Sequence, residues 1–230
     1  MNGFFVTGTG TGVGKTFVTC ALTRRAREWG QRVFAFKPIE TGCVVGNDGL
    51  VGEDQALLVD AAGNWQTGEL GGVYRFRMPA APLVAATSEG EIVDLERVSS
   101  VLARGARDAD VVLMEGAGGW RVPVTDGVDM GGLARRSGLR LVVVARAGLG
   151  TINHSLLTIE AAERDGIGVE ALVLSRRADD DDVLVSTNVE QIARLWPGRI
   201  ITFSGRLADL DPLLGRIVPR EKVLAGTFST

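Results

Sequence analysis

Short apolar runs alternate with longer amphipathic segments along most of the chain. The short runs are rich in β-branched residues, and several, such as LVVVA from Leu141, are apolar at every position. Strands that helices cover on both faces have this composition, because neither side of the sheet meets water. The pattern predicts a doubly wound α/β fold with a mainly parallel sheet. The predicted strands are Gly3 to Thr7, Arg32 to Phe36, Val111 to Glu115, Leu139 to Val144, Val169 to Leu174 and Arg199 to Phe203.

Four segments between these strands have the length and mixed faces of amphipathic helices. They are Thr16 to Trp29, Leu95 to Arg107, Ile152 to Arg164 and Val183 to Leu195. The segment from Gly42 to Gly72 is rich in Gly, Asp and Asn and has one helical stretch, near Glu53 to Ala62. We expect it to lie on the surface over the sheet edge, where such excursions often carry substrates. The acidic run Asp179 to Asp182 is predicted to be a solvated loop or a helix N-terminus rather than a metal site.

Length, charge and cysteine content exclude several classes of function. The chain has 230 residues, 45% of them hydrophobic, which suffices for one core and predicts a single domain over residues 1–230. The formal net charge is -3 and the basic residues are scattered, so we expect small-molecule partners rather than nucleic acid or a membrane. Cys20, Cys43 and His154 match neither a disulfide framework nor a structural zinc pattern. Without a targeting or membrane-spanning run, a cytoplasmic location is expected.

The strongest motif is FFVTGTGTGVGKT, from Phe4 to Thr16, in which a strand leads through a Gly-rich loop into a helix. Backbone N–H groups of such a loop and of the helix N-terminus attract a phosphate. Lys15 is positioned to reach the outer phosphates and the Thr16 hydroxyl to ligate Mg²⁺. Five residues separate Gly8 from Gly14, so the loop is one residue longer than the usual motif. It predicts nucleotide binding but not which reaction follows.

Three further charged residues lie at strand ends or at a helix start, in positions suited to phosphoryl transfer. Lys37 ends the second strand in FAFKPIETG, with the Thr41 hydroxyl nearby, at the sheet edge where ligands bind in open α/β folds. Asp54 precedes a helix in GEDQALL and would by itself be a helix cap. Glu115 ends the apolar strand VVLMEGAGG, where a carboxylate is costly unless it meets a cation or water. Together these positions predict a Mg²⁺ and phosphate site.

Five segments carry a resemblance to a known family. VTGTGTGVGKT, FKPIETG, EDQAL, EGAGGWRVP and GLGTINHSLLT occur in this order and resemble the dethiobiotin synthetase family from Phe4 to about Pro197, with a weak match over the last 30 residues. The resemblance implies a homodimer with the variant P-loop NTPase fold. It also implies a ligase reaction in which one amine of 7,8-diaminopelargonic acid takes up CO₂ as a carbamate. A nucleoside triphosphate, ATP in the family, then phosphorylates the carbamate, and the second amine closes the ureido ring.

The resemblance assigns roles to residues that carry the motifs. Mg²⁺ would be held by Thr16, Asp54 and Glu115. The catalytic residues Lys15, Lys37 and Thr11 would stabilise or orient the carbamate and the transferring phosphoryl group, with Thr41 binding the substrate. Gly150 and Asn153 would bind the substrate carboxylate across the dimer interface. The implied nucleotide site comprises Gly12, Val13, Gly14, Lys15, Thr16, Phe17, Asp54, Glu115, Gly116, Ala117, Gly118, Ser175, Arg176, Ser204, Gly205 and Arg206.

The chain departs from the family pattern near the nucleotide. Gly12 replaces a glutamate that some members carry in the loop, and the chemistry is expected to survive this change. Ser175 stands where the family often has an asparagine that reads the adenine edge, and a hydroxyl cannot make the paired contact of an amide. Near Ser204 the usual Ile-Pro becomes Phe-Ser. These changes predict a relaxed base preference that includes CTP.

Two alternatives remain open at this point. A cobyrinic-acid-type amide synthetase would activate a carboxylate, but such enzymes usually append an amidotransferase domain for which 230 residues leave no room. A partitioning-type nucleotide switch would carry an early P-loop lysine, where this chain reads Gly8-Thr9-Gly10. Switches of this type also tend to have a membrane helix or a basic surface.

Overall fold

The computed structural model describes residues 1–47 and 49–218. Within them the strands are β1 (Gly3–Gly8), β2 (Val33–Phe36), β3 (Ile39–Thr41), β4 (Val44–Gly46), β5 (Gly49–Val51), β6 (Tyr74–Phe76), β7 (Val111–Gly119), β8 (Pro123–Thr125), β9 (Val128–Asp129), β10 (Arg140–Arg146), β11 (Val169–Ser175) and β12 (Ile200–Phe203). Residues 219–230, the final part of the weakly matching C-terminal segment, lie outside the described part of the chain.

The helices are α1 (Lys15–Glu28), α2 (Glu53–Ala61), α3 (Pro82–Ser88), α4 (Leu95–Arg107), α5 (Met130–Ser137), α6 (Thr151–Arg164), α7 (Asp182–Leu195) and α8 (Asp211–Leu214). Short 3₁₀ helices span Gly68–Gly71 and Leu207–Leu210. In the part of the chain just defined, no helix combines the length and apolarity needed to cross a bilayer. The five helices that the sequence predicts are present, each within one residue of its expected ends.

Six strands form one parallel sheet in the order β12-β11-β10-β1-β7-β2, and they are the six strands predicted from the sequence. The doubly wound α/β prediction is therefore confirmed. From β1 the chain crosses to β2 at the sheet edge, and from β7 it crosses the other way to β10. The carboxyl ends of β1 and β7 meet where the winding direction changes, which is the usual ligand crevice of such sheets.

Successive residues of each central strand point to opposite faces of the sheet and build two cores. Phe4 and Val6 of β1 pack on the face that also carries α1, whereas Phe5 packs with Met114 and Leu141 on the other face. All five side chains are fully buried. The central strands are therefore held from both sides, and the loops at their carboxyl ends start from fixed positions.

The pairing of β1 with β7 breaks register beside the phosphate loop. Val6 pairs with Glu115, but Gly8 pairs with Gly119, so β7 uses more residues than β1 over the same distance. The extra residues form an irregular stretch that ends the regular ladder next to the loop. This irregularity brings the backbone after Glu115 to the mouth of the crevice.

The excursion from Gly42 to Gly72 lies at the β2 edge of the sheet, as expected. It contains the β4–β5 hairpin and α2, and α2 packs against α1 and β2 through Leu58 and Ala61. Asp48 lies outside the described residues. The acidic run also meets its prediction, because Asp181 caps α7 by accepting the Leu184 N–H at 2.7 Å.

Candidate functional site

A cleft of about 720 Å³ opens at the carboxyl ends of β1, β2 and β7. Its walls come from the phosphate loop and the start of α1, from the segment after β2, from the start of α2, and from two loops that precede α3 and follow β7. The lining residues are Thr11, Gly12, Gly14, Lys15, Thr16, Phe17, Lys37, Thr41, Asp54, Pro79, Ala80, Ala81, Pro82, Ala117, Gly118 and Val122.

The phosphate loop ends at Gly14, which has a left-handed backbone with φ 98°. A Cβ at this position would lie 2.5 Å from Oγ of Ser175, so only glycine fits between the loop and β11. No side chain caps α1, which leaves its first N–H groups to bind an anion. Lys15 donates from Nζ to the Gly10 carbonyl at 2.9 Å, so its ammonium lies over the loop. Burial lowers the pKa of Lys15 to about 8, although Glu115 opposes this effect.

Glu115 is the centre of the polar contacts in the cleft, although its side chain has no exposed surface. Its Oε1 accepts from Oγ1 of Thr16 at 2.9 Å and from Nζ of Lys37 at 3.1 Å. Lys37 also pairs with Oδ2 of Asp54. Burial alone would lower the pKa of Lys37, but Glu115 and Asp54 raise it above its usual value. Burial opposes ionisation of Asp54 as well, yet the charge of Lys37 lowers its pKa overall.

The donor set fits Mg²⁺. Oε2 of Glu115 is buried and meets no donor among residues 1–47 and 49–218. A buried carboxylate oxygen without a partner is costly, and a cation next to it would remove that cost. Thr16 and Asp54 add a hydroxyl and a second carboxylate, the hard oxygen ligands that Mg²⁺ takes together with phosphate oxygens and water. The described residues hold no cluster of three acidic, histidine or cysteine side chains, so such a site would depend on the nucleotide.

The wall opposite the phosphate loop carries residues that the sequence did not single out. Pro79 to Pro82 reach the cleft from the turn before α3, and Val122 comes from the loop after β7. The only sequence signal for them is a short stretch of alanines between two prolines, MPAAP, which by itself indicates a turn. These apolar groups line the same cleft as Thr11 and Thr41, so the cleft suits a ligand with an aliphatic part.

Of the residues expected near the base, Phe17 lines the cleft, but the lining does not include Ser175, Arg176, Ser204, Gly205 or Arg206. Ser175 packs under Gly14, and the ring of Phe17, half of it exposed, lies 5.0 Å from that of Phe203. Both arginines are engaged in ion pairs: Arg176 with Asp182 at 2.6 Å, and Arg206 with Asp209 at 2.7 Å. Ser204 and Gly205 follow directly after β12. Val13 is partly buried against the α1 core, and Gly116 lies next to Glu115 on β7.

Gly150 and Asn153 do not line the cleft of their own chain. Gly150 precedes α6 with φ 89° and no side chain caps the helix, while Asn153 and Leu149 are exposed at its start.

Comparison with known proteins agrees with the fold and the phosphate loop. A family model described as an AAA domain matches residues 2–224. An ATP-dependent dethiobiotin synthetase from Anaeromyxobacter dehalogenans is 46% identical over 85% of this chain and 86% of its own length. The corresponding protein of Xylella fastidiosa is 36% identical over 92% of each chain, and that of Aromatoleum aromaticum is 34% identical over 91% of this chain and 92% of its own.

Two solved structures share the fold at low sequence identity. The MinC:MinD cell division protein complex of Aquifex aeolicus has a TM-score of 0.54 and 15% identity, with 100% of this chain and 97% of the other covered. The signal recognition particle receptor FtsY from Elizabethkingia anophelis has a TM-score of 0.51 and 14% identity; the match covers 99% of this chain but 65% of that one. These two likenesses support the predicted α/β fold.

Proposed function

The chain belongs to the dethiobiotin synthetase family, and we propose that it joins 7,8-diaminopelargonic acid and CO₂ into dethiobiotin at the expense of a nucleoside triphosphate. The enzyme is a ligase of biotin biosynthesis. The observation that carries the proposal is the cluster in which Thr16, Lys37 and Asp54 meet around buried Glu115, directly beside the phosphate loop.

The triphosphate is proposed to lie along the loop from Thr11 to Thr16, with its terminal phosphate next to Lys15 and Lys37. N–H groups at the uncapped start of α1 and the ammonium of Lys15 favour phosphate charge there. Thr16, Asp54 and Glu115 would hold Mg²⁺. That ion would neutralise phosphate charge during transfer.

The substrate end is proposed to lie between Thr41 and the apolar wall of Pro79 to Pro82. One amine of the diamine attacks CO₂ and loses a proton, giving a carbamate whose anionic oxygen is already nucleophilic. Thr11 and Thr41 present hydroxyls to orient it, so proximity replaces a general base. The carbamate oxygen attacks the terminal phosphorus and the nucleoside diphosphate leaves. The second amine then attacks the carbamoyl carbon, a proton is lost and phosphate leaves as the ring closes.

The two lysines are proposed to lower the barrier electrostatically. In the transition state negative charge spreads over the transferring phosphoryl group, and fixed ammonium groups in a water-poor cleft stabilise that charge without reorganisation. Lys37 suits this role because Glu115 and Asp54 keep it protonated and fix its position. Lys15 reaches the same phosphate from the loop side.

The base preference is proposed to be relaxed and to include CTP as well as ATP. The Ser175 hydroxyl lies under Gly14 and offers one short polar group where an amide would read two positions. The half-exposed ring of Phe17 provides a stacking surface, and stacking tolerates any base.

A homodimer is proposed to complete the site, because Gly150 and Asn153 do not line the cleft of their own chain and are exposed at the start of α6. The helix start that they form would bind the substrate carboxylate in the partner's cleft. A cytoplasmic location is proposed on the two cysteines, both free and buried, as suits a reducing compartment.

The test is phosphate release by the purified protein with Mg²⁺, bicarbonate and a panel of nucleoside triphosphates, with and without 7,8-diaminopelargonic acid. Mass spectrometry follows dethiobiotin in the same samples. Diamine-dependent release with matching product is the expected result. Release that ignores the diamine would favour a nucleotide switch, and release that requires a carboxylic acid and an amide donor would favour an amide synthetase.

A further inference from the structure

Glu40 is a buried acid for which the proposed chemistry has no role. It lies in β3, between Lys37 and Thr41, with 7% of its surface exposed. Its carboxylate faces the start of α2: Oε1 accepts the Asp54 N–H at 2.8 Å and Oε2 accepts the Gln55 N–H at 2.9 Å. Both are charge-assisted bonds from a helix N-terminus, where a negative charge is favoured.

The glycine before α2 leaves space for the Glu40 carboxylate. The residue before α2 is Gly52, which has an extended backbone and no side chain to cap the helix. A Cβ at Gly52 would lie 2.4 Å from Oε2 of Glu40. Glu40 therefore caps α2 from a separate strand, at a place where the helix does not cap itself.

The side chain of Gln55 connects α2 to β2. Oε1 of Gln55 accepts the Lys37 N–H, and its Nε2 donates to the Ala35 carbonyl at 3.2 Å. Glu40 thus binds the first turn of α2, and Gln55 binds that turn back to the end of β2. These four hydrogen bonds fix the backbones of Asp54 and Lys37 relative to each other, and the side chains of these two residues pair in the cleft.

We propose that Glu40 is a positioning residue that holds Asp54 where it can share a divalent cation with Glu115. The inference rests on the proposed Mg²⁺ site. Without the Glu40 carboxylate, the first turn of α2 keeps its sequence but loses its attachment to β3, and the Asp54 carboxylate moves relative to Glu115. A residue that only caps a helix would affect stability and leave the cation affinity unchanged.

The experiment measures Mn²⁺ binding by electron paramagnetic resonance, with the full chain and adenylyl imidodiphosphate and without the diamine. The variant is Glu40→Gln, which keeps the shape but replaces one acceptor oxygen with a donor. The matched control is Asp94→Asn, because Asp94 caps α4 through the N–H groups of Glu96 and Arg97 at 2.8 and 3.3 Å and does not line the cleft. We expect the Mn²⁺ Kd to rise about 10- to 100-fold in Glu40→Gln, the usual effect of removing a residue that orients a metal ligand. In the control the Kd should change by less than about twofold.

A double variant separates attachment from capping. Glu40→Ala removes the carboxylate, and adding Gly52→Ser supplies a cap from the helix itself in the space that becomes free. The stability to urea should then recover, while the Mn²⁺ affinity stays weak. Recovery of both would overturn the proposal, as would a wild-type Mn²⁺ affinity in Glu40→Gln.

The result does not depend on the identity of the second substrate, since the assay contains only nucleotide and cation. If the wild-type protein binds Mn²⁺ with the nucleotide but makes no dethiobiotin, the proposed function fails and the role of Glu40 can still be measured. If the wild-type complex binds no Mn²⁺, the role of Glu40 is refuted directly.

Discussion

Nζ of Lys37 lies 3.1 Å from Oε1 of Glu115, whose side chain is completely buried. The ammonium is therefore the nearest positive charge to an acid that water cannot reach. Thr16 adds one neutral hydrogen bond to the same oxygen. Lys37 therefore compensates a buried charge and also lines the cleft in which we propose the nucleotide binds.

Lys37→Ala should affect both functions. Removing one partner of a buried ion pair costs about 3–5 kcal/mol, so the free energy of unfolding without Mg²⁺ should fall by that order. Loss of one preorganised charge at the transferring group should lower kcat by about 100- to 1000-fold. Urea unfolding and phosphate release measure the two effects. The double variant Lys37→Met/Glu115→Gln should regain stability but not activity, and intact turnover in Lys37→Ala would remove Lys37 from the mechanism.

Phe17→Ala should weaken the binding of every nucleotide to a similar degree. Base stacking on an aromatic ring contributes about 1–3 kcal/mol, so KM for ATP and for CTP should each rise about tenfold while kcat changes little. Phe17→Tyr keeps the ring and serves as the control. A change confined to one of the two nucleotides would indicate that Phe17 reads the base rather than stacking on it.

Ser175→Asn should narrow the base preference. An amide offers a donor and an acceptor to the adenine edge, and we expect the ratio of kcat/KM for ATP over CTP to rise by about tenfold, which corresponds to roughly 1.4 kcal/mol. Steady-state kinetics with both nucleotides measure the ratio. An unchanged ratio, or strict ATP dependence in the wild-type enzyme, would contradict the explanation based on Ser175.

Asp165→Ala should destabilise the protein without touching the cleft. Oδ2 of Asp165 accepts from Nε1 of buried Trp120 at 2.8 Å, and its carboxylate also pairs with Arg121. Leaving the indole N–H without a partner costs about 1–3 kcal/mol. The control is Glu96→Ala, since the side chain of Glu96 is 81% exposed and its pair with Arg136 should contribute about 0–1 kcal/mol. Equal losses in the two variants would contradict this assignment.

The contacts of Asp165 also predict that the stability of the protein depends on pH. The hydrogen bond from Arg121 holds the pKa of Asp165 below its usual range. A depressed folded-state pKa contributes stability above the unfolded value of about 3.9, and that stability is lost as the pH falls through the folded pKa. The stability difference between wild type and Asp165→Ala should therefore be largest near neutral pH and narrow below about pH 4.

Both thiols should be inert in the native protein. Burial raises the pKa of Cys20 to about 11 and also raises the pKa of Cys43 above its usual value. Because the thiolate is the reactive form, neither side chain should react quickly with a disulfide reagent at pH 8. Both should react once urea unfolds the chain. Rapid modification of one thiol in the folded state would show that its segment opens readily.

The sequence predicts the fold well where the pattern is local. The six sheet strands are rich in apolar residues, and several, such as VFAF in β2, are apolar at every position, which indicates buried parallel strands whatever their partners are. α5 escapes prediction because Gly131 and Gly132 weaken its helical pattern, and β3 and β6 are too short for a period to be recognised. These elements form because tertiary packing overrides weak local preference.

The residues of the site also differ in whether the sequence alone can predict them. The phosphate loop can be recognised because its glycines, Lys15 and Thr16 lie in one contiguous segment, and such a segment carries most phosphate-binding groups by itself. Glu40 and Gln55 could not be recognised, because their partners belong to other elements and an acid after a strand has no distinctive pattern. The wall at Pro79 to Pro82 is defined only by the distance across the cleft.

The strand order also determines when this site can come into existence. β1 precedes the other sheet strands in the chain, yet within the described residues its partners are β7 and β10, which begin at Val111 and Arg140. Phe4, Phe5 and Val6 therefore have no sheet neighbour among these strands until about half of the 230 residues have been synthesised. Distant parallel pairings form slowly and expose apolar surface meanwhile. Nucleotide can therefore stabilise only a late folding state, and the nascent N-terminal segment is where a chaperone would be needed most.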